Sequence, residues 1–155
     1  MTAGGPRARP FDRLGRILLA ASLLIIVILI AAAIGVIALG AWIWRVVPNP
    51  DPFGFTSGLF FAASVLLIIT SIAAIFGLLS YAGEYRSGYA TDREGTARRW
   101  LGTLFIFAGF PFLGISIVLY SGPIAQVLTL GALLAFGTGA GYHVSAYLRT
   151  QRAGA

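Results

Sequence analysis

The sequence contains no cysteine and no lysine, a single histidine, and only 10% charged residues in 155. Without cysteine there are no disulfides, no thiolate metal sites and no thiol chemistry. With one histidine and five acids, the chain has no His–acid metal cluster and no second histidine for bis-histidine haem ligation. No phosphate loop, no carboxylate pair with acid–base spacing and no Gly-x-Ser-x-Gly element occurs. No catalytic residue, metal ligand or cofactor-binding residue is assigned, and no enzyme activity or cofactor is expected.

What is abundant is apolar: 58% of the chain is hydrophobic, against about 45–50% in an ordinary soluble domain. The excess lies in four uncharged runs at about 17–44, 58–81, 100–120 and 124–148. In hydrocarbon every backbone N–H and C=O must find an internal partner, so each run is compelled to be a helix. The reading is an all-α membrane protein, a four-transmembrane-helix bundle of two antiparallel hairpins. A basic disordered tail is expected over 1–13, the membrane domain over 14–149 and a short tail over 150–155. The first run of 28 residues would make roughly 42 Å of helix, longer than a hydrocarbon core of about 30 Å, and has to tilt or protrude. Its start also resembles a signal peptide, with Arg13 and Arg16 ahead of the apolar stretch and Ala31, Ala32 and Ala33 as a small-residue cleavage site. Cleavage would leave an apolar stump, 34–44, too short to cross, so the run is read as a retained span.

All eleven cations are arginine, and their positions set an orientation. Arg7, Arg9, Arg13 and Arg16 precede the first span; Arg86, Arg93, Arg98 and Arg99 lie between the second and third; Arg149 and Arg152 follow the fourth. Only Arg45 falls on the opposite side. Ten to one, by the positive-inside rule, puts both termini in the cytoplasm and the protein in the plasma membrane as a multi-pass chain. Arginines placed beside apolar runs serve as topology and headgroup anchors, so the net charge of +6 does not point to nucleic acid. Trp42, Trp44 and Tyr120 are expected in the outer aromatic belt; Tyr81, Trp100, Tyr142 and Tyr147 are expected in the inner one.

Between the first two spans, Pro48, Pro50 and Pro52 alternate with Asn49 and Asp51, an extended turn. Ser121, Gly122 and Pro123 alone join the last two spans, which forces an antiparallel hairpin in contact along its length. Tyr81, Tyr85 and Tyr89 share a face if the second helix continues past the membrane surface, with Gly88 ending it. Thr91 and Glu94 have capping-box spacing at the start of the third helix. Lipid gives helices no hydrophobic reason to associate, so small residues should mark contacts. Gly137, Gly141 and Ser145 recur at intervals of four, as do Gly131, Ala135 and Gly139; Ala31 with Gly35, and Ala73 with Gly77, repeat the pattern. From these, Gly35, Gly77, Gly137 and Gly141 are the candidate packing positions. Pro111 removes the hydrogen bond to the Phe107 carbonyl and is a candidate kink.

Ionisable groups within spans mark function by default because they are costly there. His143, near the inner end of the fourth span, is the one candidate; Glu84 lies at the same edge, and a Glu84–His143 or Glu84–arginine contact would tie the second helix to the fourth. Small multidrug-type transporters would carry a buried glutamate, and fluoride-channel-like proteins would carry asparagine in their spans; neither is present. Gly83-Glu84-Tyr85-Arg86-Ser87-Gly88, following a second span, resembles the cytoplasmic segment of some ABC-2-type export permeases over six residues of 155, without that family's two further spans. The expected function is a non-enzymatic accessory or structural subunit of a membrane complex, with the bilayer and another subunit or a second copy as partners. The alternative is a small oligomeric transporter, channel or lipid-handling protein.

Overall fold

The computed structural model describes residues 10–47, 54–87 and 93–153. Four helices occupy them: α1 (Arg13–Val46), α2 (Phe55–Ser87), α3 (Arg93–Leu119) and α4 (Pro123–Ala153). All four are long and apolar enough to cross a membrane. At about 1.5 Å per residue even the shortest is roughly 40 Å long, so the helices outreach the hydrocarbon core. The alternating-proline turn, Tyr89, Gly88 and the Thr91 half of the capping box lie outside the described residues, as does most of the basic tail. Within that tail Phe11 and Asp12 are already engaged: the Asp12 side chain caps α1, accepting from Gly15 N at 2.8 Å.

The helix ends follow from local chemistry. Tyr120 has φ 56° and its N–H bonds the Ser116 carbonyl at 2.9 Å. A left-handed residue cannot continue α3, so the helix stops one residue short of the expected 120. Gly122, at φ 102°, completes the turn, and Pro123 opens α4, where its missing N–H would have had no partner.

The molecule's exterior is apolar. Leu24, Val27, Ile34, Phe61, Ile69, Phe76, Val127 and Leu134 are all exposed. In water such a surface would aggregate; against acyl chains it is matched. The interior is lined by small residues and a few leucines, with buried Ser22, Thr70 and Ser71 bonded to carbonyls one turn back, which is how a hydroxyl is satisfied in lipid. The chain is a small integral membrane protein.

The helices pack unequally. α1, α2 and α3 touch one another, whereas α4 packs on α3 alone. The α3–α4 contact has a clear register: Gly95, Gly102, Gly109 and Ser116 are buried on α3, and Ala125, Ala132, Gly139 and Ala146 on α4. Both sets step by seven. Gly102 meets Gly139, and Ser116 Oγ donates to the Ala125 carbonyl at 3.1 Å; the same antiparallel register sets Gly109 against Ala132 and Gly95 against Ala146. Gly15, Ser22, Leu29 and Val36 of α1 repeat the spacing. A strict seven-residue repeat keeps one stripe facing its partner only if the helices wind left-handed about each other.

Candidate functional site

Polar contacts between helices concentrate at the end where the arginine-rich segments meet. There the Tyr85 hydroxyl lies 3.0 Å from both Asp12 oxygens, and Arg93 Nη1 is 3.7 Å from Asp12 Oδ2. The Arg93 guanidinium sits 4.5 Å over the Tyr85 ring, within cation–π range. Phe11 stacks beside the same ring, with centroids 6.4 Å apart. A side chain at Gly15 would stand 2.7 Å from Tyr85 Cε1, so glycine there lets the ring reach Asp12. The Gly15 amide, with Tyr85 and Arg93 adding to it, holds the Asp12 carboxyl below the usual aspartate range.

One layer deeper, fully buried Trp100 donates from Nε1 to Ser22 Oγ at 2.8 Å, and Ser22 donates onward to the Leu18 carbonyl. Trp100 was expected in the inner aromatic belt and is instead inside the bundle. An indole in this position has its N–H satisfied by α1 and needs no headgroup. Tyr81 and Tyr142 are half-buried, while Tyr147 is exposed.

On the other side of α3, Glu94 Oε1 accepts from Arg98 at 2.9 Å and from Arg149 of α4 at 2.6 Å. Two turns further in, His143 Nε2 and Thr103 Oγ1 share a 3.1 Å hydrogen bond. His143 is therefore an α3–α4 contact. The expected tie from Glu84 to His143 does not form: Glu84 is exposed on α2, and α3 stands between α2 and α4. Glu84 forms no ion pair with an arginine among the described residues.

The packing glycines are also different from those expected. Gly35, Gly137 and Gly141 have open space where a side chain would go, and Gly77 only reaches Phe107 at 3.7 Å. The close approaches are Gly102 with Gly139, Gly109 against Phe136 and Gly114 against Leu67. An interval of four drifts around the helix, whereas the contact follows an interval of seven. Of the glycines at intervals of four, only Gly139 lies in the α3–α4 contact, and Gly77 makes an ordinary contact with Phe107 of α3. Pro111 is buried inside an unbroken α3.

Among the described residues no group of three potential metal ligands exists. At the far end, an open hollow of about 430 Å³ lies between Ser116, Gln126 and Thr129; Ser116 and Thr129 bond each other at 2.6 Å. No family model matches the chain, and no curated protein or solved structure matches it. The six-residue likeness to export permeases thus has no family match behind it.

Proposed function

We propose that the chain is a non-enzymatic accessory or structural subunit of a plasma-membrane complex, with both termini and the α2–α3 connection in the cytoplasm. The observation that supports it is the outer face of α4. Of the four helices α4 is the least apolar and buries the smallest share of itself. Lipid exposure favours the reverse ranking, since the most exposed helix should be the greasiest. Its outer side carries Gly137, Thr138, Ala140 and Gly141, all exposed, which is weak for acyl contact and suited to a second helix at close range.

Gly137→Leu with Gly141→Leu tests this, because both positions have open space and the chain's own packing is untouched. The tagged protein is extracted gently from native membrane and the assembly's mass and co-migrating proteins are identified. The expected result is a stoichiometric partner or second copy that is lost in the variant while the monomer stays folded. An assembly unchanged by both leucines refutes the α4 interface, and a wild-type monomer refutes the subunit reading. A pure homo-oligomer whose ion or substrate flux disappears in His143→Ala would establish the transporter in its place.

A further inference from the structure

We infer that the arginine-rich end is a binding surface for anionic phospholipid, selecting it over zwitterionic lipid through five guanidinium groups that the fold leaves without carboxylate partners. Eight arginines of that end lie among the described residues, and their acids are Asp12, Glu84 and Glu94. The fold uses Asp12 on Arg93 and Glu94 on both Arg98 and Arg149. Arg13, Arg16, Arg86, Arg99 and Arg152 are exposed and have no ion pair among the described residues. Glu84 is exposed at the same end, so setting one acid against five cations leaves four positive charges uncompensated.

Their height in the membrane identifies the counter-charge. Arg16 immediately precedes the uncharged run 17–44, and Arg99 immediately precedes Trp100 and the third run. Arg152 stands one turn beyond the end of the fourth run. Guanidinium groups at the edge of hydrocarbon stand level with lipid phosphates, which a planar donor fork engages in pairs of hydrogen bonds. Arg13 and Arg16 are three residues apart on α1, and so lie on one side of it within reach of a single headgroup. The opposite end has Arg45 alone among its described residues, so selection is confined to one leaflet. A headgroup with its own choline cation offsets the phosphate charge; phosphatidylglycerol does not.

The full chain is reconstituted into bilayers, and electron spin resonance of spin-labelled phosphatidylglycerol and phosphatidylcholine measures their relative association with the protein surface. Wild type is expected to hold phosphatidylglycerol several-fold better at low salt, with the preference shrinking as ionic strength rises. Each arginine removed should lower association at the site it serves on the order of fivefold. Arg13→Gln with Arg16→Gln therefore reduces the preference, Arg13→Lys with Arg16→Lys keeps most of it, and Arg45→Gln leaves it unchanged. Equal association of the two lipids with wild type overturns the inference, as does a preference insensitive to salt. So does a preference that survives Gln at all five positions, which would place the lipid contact elsewhere.

Discussion

A side chain at Gly139 has nowhere to go. Its Cβ would lie 2.6 Å from the Gly102 carbonyl oxygen, 2.6 Å from Ile106 Cγ1 and 3.1 Å from Ile106 N. Two of these three are backbone atoms and cannot swing aside. Ordinary contact begins near 3.4 Å, so in Gly139→Ala the helices must part locally by about 0.8 Å, loosening the His143–Thr103 bond one turn along. Overpacking of this kind costs about 1–3 kcal/mol, and replacing glycine in a helix returns up to about 1 kcal/mol. The expected net loss is about 1–2 kcal/mol, read by equilibrium unfolding in mixed micelles with increasing SDS. Gly141→Ala is the internal control, two residues away with open space, and should be neutral or slightly stabilising. Gly102→Ala with Gly139→Ala should cost less than the two singles summed, because one separation relieves both clashes. If Gly139→Ala is as stable as Gly141→Ala, the seven-residue register does not hold the hairpin together.

Three further substitutions probe the arginine-rich end. Ser22→Ala leaves the buried Trp100 N–H without its acceptor and should destabilise by about 1–2 kcal/mol in the same assay. Asp12→Asn addresses pH: a carboxyl held below its unfolded value of about 3.9 contributes stability that is full above that value and lost as pH falls through the folded one. Wild type should therefore lose thermal stability in detergent below about pH 4, and Asp12→Asn should start lower and respond less to the same acidification; an unchanged acid profile would exclude Asp12 as the titrating group. Glu94→Gln weakens two exposed ion pairs, and since such pairs contribute little, its thermal midpoint should match wild type within error.

The four crossings were legible because the constraint behind them is local and severe: an uncharged run in lipid can only coil. Ends were legible to within a few residues wherever a turn residue marks them, as at Gly122 and Pro123. Tyr120 escaped because nothing in a tyrosine announces a left-handed backbone. Facing was not legible by an interval of four. Twenty glycines give many such coincidences, and the seven-residue ladder of Gly95, Gly102, Gly109 and Ser116 hides among them until its mate on α4 is seen. Asp12 is not legible because its partner Tyr85 is 73 residues away, and Trp100 at the membrane edge reads as a belt residue because its hydrogen-bond partner, Ser22, is 78 residues distant.

The bond from Trp100 to Ser22 shows how the two hairpins become one bundle. In chain order α1–α2 and α3–α4 form two antiparallel pairs whose helices touch, so each can cross the membrane and associate on its own. α4 contributes nothing to joining them, since it reaches only α3. The union depends on the second side of α3, where Trp100 meets Ser22 and Tyr85, and Gly114 receives Leu67. The apolar part of that contact resembles what lipid offers either hairpin alone, and gives little selectivity. Trp100–Ser22 and the contacts of Arg93 with Asp12 and Tyr85 differ, because these mates meet only after docking, whereas Asp12 and Tyr85 already meet within the first hairpin. Both lie towards the arginine-rich end, so docking is specified there and the remaining length closes by packing. On this account Ser22→Ala weakens the union of the hairpins and leaves the α3–α4 hairpin intact, whereas Gly139→Ala does the opposite.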